Sequence, residues 1–323
     1  MNPKRQVLEA LSQASRVLIA MHAAPDGDSA GSGLALGLAL KRMGREVAWV
    51  ARDPIPERLG FLPESQTPIR WDEALKSSYD WVVAVDCGSR GRLGAPEEFW
   101  QQGLPLINID HHSQNSQFGT INWVEGDKSS TGEMMAELFW EAGWQATAEE
   151  AVCLYTAIST DTLSFRQINT QKSTLKVAHW LAEAGLDLGD INQRIWDNRS
   201  HDELRFVGWA LMATEVSPDG RFAWLGVTRE IMERFQVDDS GVDTIVHHLM
   251  SIASVEVAVL AKEALPSGHV KVSWRGKRPW NVANLASQFG GGGHAYAAAA
   301  QVTGTLPEVL QSVLQRLEIE AHG

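Results

Sequence analysis

The chain has 323 residues, which is more than one typical hydrophobic core holds and suits two domains. Its 44% hydrophobic and 21% charged residues are ordinary for a globular protein, and its net charge of −12 argues against a protein that coats long nucleic acid. No apolar run approaches the ~20 residues of a membrane span and the N-terminus lacks a signal-peptide core, so we expect a cytoplasmic protein whose two cysteines, Cys87 and Cys153, are buried free thiols.

The first predicted strand is followed by a loop that is rich in metal-ligand residues. After an N-terminal helix, the apolar residues 16–21 lead into His22, and the loop continues through Asp26 and Asp28 to a helix that reaches about residue 43. The glycines and serines of this loop can place backbone N–H groups at the helix start, where they favour an anion. An ordinary strand-to-helix loop with an aspartate cap is the alternative interpretation.

A later apolar strand also ends in an acid. A second strand is predicted at 46–51, and residues 81–85 form a third strand that leads into Asp86. A glycine-rich turn follows and contains Arg92, which either contacts a phosphate or pairs with an acid.

The next predicted strand leads into three consecutive polar residues. Residues 104–109 are apolar and run directly into Asp110, His111 and His112. An acid and two imidazoles are costly to hold at a buried strand end unless something binds them. Open α/β sheets bind their ligands at this end of the strands. The sequence therefore predicts a metal-phosphate site here.

The first half closes with helices. Residues 129–133, SSTGE, are typical of a helix start, and a helix from about residue 148 delivers Asp161 after an apolar run. Two more helices are predicted near 172–184 and 188–196. The alternation of strands and helices indicates a parallel α/β sheet.

The second half carries a basic run and a glycine-histidine motif. The cations Lys271, Arg275, Lys277 and Arg278 have no acid among them, and a solvated strand edge is the alternative interpretation. Four glycines then precede His294 and an alanine-rich segment, which is predicted as a helix. Such a loop can wrap backbone around a phosphate, although a flexible linker would also be rich in glycine.

Together these residues indicate a two-metal site that hydrolyses a phosphoester or a phosphoanhydride. Four carboxylates at one site would repel one another unless cations were present. Oxygen-rich sites with a minority of imidazole suit Mn²⁺, and two such ions clamp the oxygens of a phosphoryl transfer. The predicted ligands are His22, Asp26, Asp28, Asp86, His111 and Asp161.

The sequence resembles the DHH phosphoesterases that carry a DHH-associated C-terminal domain. The resemblance covers nearly the whole chain and rests on six motifs in order: HAAPDGDSAGS at 22–32, VDCGSRGRLG at 85–94, DHHSQNSQFG at 110–119, SSTGE at 129–133, AISTDTLSF at 157–165 and GGGHAYAAA at 291–299. It implies an α/β fold: a DHH domain at 1–186 with a parallel sheet and helices on both faces, a linker at 187–203, and a smaller α/β domain with a mixed sheet at 204–323.

The resemblance also implies roles for the site residues. It implies two Mn²⁺ ions, with Mg²⁺ or Co²⁺ as alternatives in vitro, and Asp86 as the ligand that bridges them. His112 would contact the scissile phosphate and Asp110 would support it. The substrate's other end would bind Arg275, Gly291, Gly292, Gly293 and His294, with Arg92 as a further phosphate contact.

Within the family, the length resembles the NrnA-type oligoribonucleases. These degrade very short RNA or DNA oligonucleotides and remove the 3′-phosphate of adenosine 3′,5′-bisphosphate. The sequence leaves open whether this protein forms a homodimer. A phosphodiesterase for linear or cyclic dinucleotides and a catalytically silent nucleotide-binding module are the alternatives. Leu163 and Ala299 stand where the family usually has glycine.

Overall fold

Parallel strand pairing organises the first part of the chain. In the computed structural model, which describes residues 2–265 and 267–322, the chain divides into unit 1, Met1–Asn198, and unit 2, Arg199–Gly323. The strands of unit 1 are β1 (Arg16–Ala20), β2 (Glu46–Val50), β3 (Trp81–Val85), β4 (Leu106–Asp110) and β5 (Ile121–Val124). They form one sheet in the order β2-β1-β3-β4-β5, and all four neighbouring pairs are parallel.

Helices cover both faces of this sheet. They are α1 (Pro3–Gln13), α2 (Gly27–Arg42), α3 (Trp71–Ala74), α4 (Glu97–Trp100), α5 (Thr131–Glu141), α6 (Ala148–Asp161), α7 (Lys172–Ala182) and α8 (Leu188–Trp196), with 3₁₀ turns at Glu57–Leu59 and Arg90–Leu93. In β1, Val17 and Ile19 join the core formed with α1, α2, α5 and α6, whereas Leu18 and Ala20 face a second core with α3 and α4. The alternation follows from the two-residue period of a strand and confirms the predicted architecture.

Unit 2 contains a mixed sheet. Its strands are β6 (Glu215–Val216), β7 (Phe222–Val227), β8 (Val257–Ala264), β9 (His269–Gly276), β10 (Gly292–His294) and β11 (Ala297–Thr303). Their order is β10-β11-β9-β8-β7-β6; β7 and β8 are parallel, and the other neighbouring pairs are antiparallel. The helices are α9 (His201–Ala213), α10 (Arg229–Arg234), α11 (Asp239–Asp243), α12 (Ile245–Met250), α13 (Val282–Gln288) and α14 (Leu306–His322).

The alanine-rich segment after His294 is a strand, and the helix predicted there is wrong. β11 pairs with β9 along its whole length and with β10 at its start. A Cβ on Gly291 would overlap the carbonyl oxygen of Ala299 and lie 2.5 Å from the Cβ of Ala300. Small residues on both segments therefore allow close strand packing, which overrides the helix propensity of alanine.

One strand of unit 1 also differs from the sequence-based expectation. β5 was not predicted; it pairs with β4 and makes β4 an interior strand, which explains why Asp110 is fully buried. The predicted linker, 187–203, holds α8 and the first turn of α9, and the two units divide within it, at Asn198. The domain limits themselves stay a prediction. Among the described helices, none is long and apolar enough to cross a membrane.

Candidate metal centre

The six predicted metal ligands lie at the ends of five elements of unit 1. His22 follows strand β1, Asp86 follows β3 and His111 follows β4. Asp26 and Asp28 lie at the start of helix α2, and Asp161 ends helix α6. Parallel strands bring their carboxyl ends to one edge of the sheet. The structure brings all six side chains together there.

Asp86 lies between His22 and His111. Its Oδ2 is 3.5 Å from Nε2 of His22, and its Oδ1 is 3.6 Å from Nε2 of His111. The hydroxyl of Thr131 donates to Oδ1 at 3.3 Å. Asp86 has φ +54°, a left-handed backbone conformation that aspartate adopts more readily than most residues. One carboxylate oxygen therefore faces each histidine.

Three groups of potential ligand atoms contain Asp86: one is formed with Asp110 and His112, and the other two consist only of predicted metal ligands. Of these two, the first contains His22, Asp26 and Asp86, and the second contains Asp28, Asp86 and His111; within each group the atoms lie within 4.8 Å of one another. Asp161 adjoins the second group, since its Oδ2 is 3.7 Å from Nε2 of His111. Each of these two groups could hold one metal ion.

Backbone carbonyls orient both histidine rings. Nδ1 of His22 lies 2.8 Å from the carbonyl oxygen of Ala23, and Nδ1 of His111 lies 3.2 Å from that of Lys128. A carbonyl can only accept, so in each ring Nδ1 carries the proton and donates it. In the neutral ring, the form that binds a metal, the lone pair is then on Nε2, the atom that faces the carboxylates.

Helix N-termini hold two of the carboxylates. Asp28 accepts the backbone N–H groups of Thr131 at 2.7 Å and Gly132 at 2.8 Å, the first two residues of α5, and the hydroxyl of Ser32 at 3.1 Å. Asp26 is the N-cap of α2 and accepts from the N–H of Ser29 at 3.0 Å. The partial positive charge of each helix start favours the ionised carboxylates.

The crowding of charges shifts the pKa values strongly. Burial, followed by the neighbouring carboxylates of Asp86, Asp161 and Asp26, raises the pKa of Asp28 well above its ordinary value. Burial also raises the pKa of Asp161 to about 6. For His22, burial lowers the pKa, but Asp26 and Asp86 raise it to about 10.

These residues fit a divalent cation. Four carboxylates within a few ångströms repel one another, and a cation would balance that repulsion. The donor set of carboxylate oxygens and two imidazole nitrogens suits a hard or borderline ion. Cys87 directly follows Asp86, but its thiol donates to the carbonyl oxygen of Ser89, and no group of potential ligand atoms among the described residues contains a cysteine.

His112 and Asp110 form a second arrangement beside this cluster. Nδ1 of His112 lies 2.7 Å from Oδ1 of Asp110. The other oxygen of Asp110 accepts the side-chain amide of Asn115 at 2.6 Å, and this amide also donates to Asn108. Burial lowers the pKa of His112, but the hydrogen bond to Asp110 and the charge of Asp86 raise it to about 9. At neutral pH the ring is therefore protonated.

Arg92 is an exposed residue of the 3₁₀ turn Arg90–Leu93, and its carbonyl oxygen accepts the N–H of Ala23 at 2.7 Å. Its charge lowers the pKa of Asp26, yet no carboxylate in the described chain forms an ion pair with it. A phosphate contact of Arg92 stays a prediction.

The predicted substrate residues of unit 2 lie in one region of its sheet. Ala297 of β11 is in register with Arg275 of β9 on one side and with His294 of β10 on the other. Residues in register share a face, so Arg275 and His294 flank Ala297 on the same side. Gly293 has φ +145°, and a Cβ there would lie 2.5 Å from the carbonyl oxygen of Ala297. The glycines therefore shape the backbone of this hairpin.

Several supporting residues were missed by the sequence analysis. Asn115 supports Asp110, and Asn169 donates to the carbonyl oxygen of Ser129 at 2.8 Å and to Oδ2 of Asp161 at 3.3 Å. Neither asparagine has a spacing that points to this role. The N–H groups at the start of α5 were foreseeable, because SSTGE already predicted a helix start there.

Both units of the chain are similar to known proteins. Residues 16–158 match the family model described as "DHH family, N-terminal domain", and residues 225–321 match the "DHHA1 domain". The "Bifunctional oligoribonuclease and PAP phosphatase NrnA" of Thermus thermophilus is 34% identical over 306 residues, covering 94% of this chain and 90% of the relative. The protein of the same name from Bacillus subtilis is 24% identical, with 93% of each chain covered.

A solved structure has the same fold. The crystal structure of an exopolyphosphatase-related protein from Bacteroides fragilis superposes with a TM-score of 0.89 at 25% identity, covering 98% of this chain and 95% of the other. The identity to the Thermus relative, over nearly the full length of both proteins, is high enough to assign a family. The chain belongs to the DHH family and carries a C-terminal DHHA1 domain.

Proposed function

We propose that this protein is a Mn²⁺-dependent phosphoesterase that hydrolyses very short oligoribonucleotides and removes the 3′-phosphate of adenosine 3′,5′-bisphosphate. The observation that carries the proposal is Asp86, whose two oxygens face two separate groups of ligand atoms. The printed names of the Thermus and Bacillus relatives support this choice of substrates.

Each group of ligands would hold one ion. His22, Asp26 and Asp86 would bind the first, and Asp28, Asp86, His111 and Asp161 the second. When bound, two divalent cations supply positive charge for the phosphate oxygens and lower the pKa of a water.

The chain's own residues would orient the phosphate and protonate the leaving group. Nδ1 of His112 bonds to Asp110, and Nε2 is the atom that would meet the substrate. The hydrogen bond to Asp110 favours the protonated ring, which can donate a hydrogen bond to a phosphate oxygen. As the phosphorus–oxygen bond breaks, the same proton can pass to the leaving oxygen.

Unit 2 would bind the part of the substrate that does not react. Arg275 offers a planar guanidinium that suits a phosphate, and His294 lies on the same face of the sheet. The glycines of the hairpin carry no side chains that would block a nucleotide.

A product time course tests the proposal. End-labelled two- to four-nucleotide RNA, adenosine 3′,5′-bisphosphate and a cyclic dinucleotide would be compared with increasing Mn²⁺ and with chelator. We expect Mn²⁺-dependent conversion of the short RNA and the bisphosphate to mononucleotides. Faster turnover of the cyclic dinucleotide than of either would favour the dinucleotide phosphodiesterase. No conversion of any substrate at saturating Mn²⁺ would overturn the proposal.

A further inference from the structure

One short backbone segment, residues 128–130, is tied to the ligand His111. The carbonyl oxygen of Lys128 accepts from Nδ1 of His111 at 3.2 Å, and this bond decides which ring nitrogen faces the carboxylates. A shift of the segment would turn the imidazole and move Nε2 away from Asp86, which is 3.6 Å away.

The same segment is tied to a second ligand. The carbonyl oxygen of Ser129 accepts the side-chain amide of Asn169 at 2.8 Å, and that amide also lies 3.3 Å from Oδ2 of Asp161. Asn169 thus connects the 128–130 segment to the end of α6. Two predicted ligands from different elements depend on one stretch of three residues.

A buried carboxylate, Glu133, fixes this segment. Its Oε2 accepts the N–H of Ser129 at 3.2 Å, the hydroxyl of Ser129 at 2.5 Å and the hydroxyl of Thr174 at 2.7 Å. Nζ of Lys128 lies 3.8 Å from its Oε1. The side chain of Glu133 is completely buried, a costly location for a carboxylate unless it is held by such contacts.

The role of Glu133 differs from an ordinary helix cap. Both Glu133 in α5 and Glu150 in α6 are the third residue of their helix, and both are buried. Glu150 closes a capping box with the N-cap residue Thr147 and bonds to Arg42. Glu133 instead bonds to Ser129, the residue before its N-cap, and so acts on the 128–130 segment.

We propose that Glu133 is a positioning residue of the metal centre: by fixing the 128–130 segment, it holds His111 and Asp161 in the arrangement that a cation needs. It touches neither ligand and acts only through the segment and Asn169. This inference rests on the proposed metal-dependent function.

The test is direct Mn²⁺ binding, measured by electron paramagnetic resonance of the free ion at a temperature where circular dichroism shows every variant folded. Glu133→Ala removes the acceptor, whereas Glu133→Gln keeps an oxygen that can accept the same bonds. Glu150→Ala is the matched control, because it removes a buried glutamate at the same helix position, at the opposite end of α6 from Asp161. Asn169→Ala breaks the connection to Asp161 without changing the buried charge.

We expect Glu133→Ala and Asn169→Ala to weaken Mn²⁺ binding by about tenfold or more, the usual effect of removing a residue that supports a metal ligand. Glu133→Gln should lie closer to wild type, and Glu150→Ala should lower the unfolding temperature with unchanged Mn²⁺ affinity. Suppose that the wild-type protein binds Mn²⁺. If Asn169→Ala and any folded Glu133→Ala protein then bind Mn²⁺ as tightly as wild type, the positioning role is wrong. A wild-type protein that binds no Mn²⁺ overturns the proposed function itself.

Discussion

The ligand cluster of unit 1 and the glycine hairpin of unit 2 are built in opposite ways. In unit 1, buried carboxylates and imidazoles gather around Asp86, and backbone N–H and carbonyl groups hold them in place. In unit 2, the hairpin of β10 and β11 is rich in glycine and alanine, and its shape depends on backbones that approach closely.

The difference indicates which functions can be separated. A change of charge in the unit 1 cluster should alter metal binding and kcat. A change of shape in the unit 2 hairpin should alter substrate binding, seen in KM, with little effect on the bound metal. Substitutions in the two regions, each with a matched control, can test that separation.

Asp86→Asn should have the largest effect. Asparagine also tolerates the left-handed backbone at this position, so the variant should fold. The loss of one shared negative ligand removes several kcal/mol of charge stabilisation and should lower kcat/KM about a thousandfold. Steady-state kinetics on short RNA at saturating Mn²⁺ would measure it.

Asp80→Asn is its matched control. Asp80 directly precedes β3, whereas Asp86 directly follows it. At that opposite end of the strand, the carboxylate of Asp80 accepts the N–H groups of Ser15 and Arg16. Its replacement should leave kcat/KM unchanged. Near-wild-type activity in Asp86→Asn would mean that the two groups of ligands do not share this residue.

Gly293→Ala should change the shape of the unit 2 hairpin. The new Cβ would meet the carbonyl oxygen of Ala297 at 2.5 Å and the Cα of Ala298 at 2.6 Å, and backbone atoms cannot move aside easily. A strain of about 2 kcal/mol would raise KM roughly thirtyfold. Gly290→Ala is the control, since Gly290 also has positive φ, but with open space around it. A fall in Mn²⁺ affinity in Gly293→Ala would show that metal binding by unit 1 is not independent of the unit 2 hairpin.

Metal binding should weaken as the pH falls. Protons and cations compete for the same atoms, and the raised pKa values of Asp161, about 6, and His22, about 10, mean that the folded protein without cations holds these protons tightly. Between about pH 8 and pH 6 the Mn²⁺ affinity should fall about tenfold per pH unit, and more steeply below the pKa of Asp161. Isothermal titration across this range measures the slope; an affinity independent of pH would contradict the proton displacement.

Arg275→Ala should raise KM by about tenfold, the effect of losing one charge-assisted hydrogen bond, with kcat preserved. Initial rates on adenosine 3′,5′-bisphosphate and on a trinucleotide would measure it. Arg278→Ala is a neighbouring control from the same basic run, whose guanidinium already bonds to Tyr296. A loss confined to kcat would instead assign Arg275 to the reacting phosphate.

The smallest effect concerns Leu163, which has φ +46° and is followed by two more left-handed residues, Ser164 and Phe165. Glycine adopts this conformation without strain, although it loses more backbone entropy on folding, so Leu163→Gly should stabilise unit 1 by about 0.5 kcal/mol. Leu163→Ala keeps a Cβ and should give no such gain. Urea unfolding of both variants, with kcat compared, would measure the difference.

Much of the metal centre was predictable from sequence because it depends on topology. Apolar runs that end in Asp86 or in Asp110 and His111 identify strands, and parallel strands must bring those ends together. The supporting contacts were not predictable, because Glu133, Asn169 and Asn115 act on residues that only the folded chain brings near.

The hairpin was harder to predict for a physical reason. Alanine prefers helices when only local effects count, and nothing local to Ala297–Thr303 reveals that β9 is its partner. β5 was missed for a similar reason, since its pairing with β4 stabilises a strand of four residues. Pairing between distant segments decides both elements.

The most direct test of the central claim is anomalous diffraction at the manganese edge from crystals soaked in MnCl₂. The account predicts two manganese peaks on either side of Asp86, one bound by Nε2 of His22 and the other by Nε2 of His111. A single peak, or manganese bound away from Asp86, would contradict it.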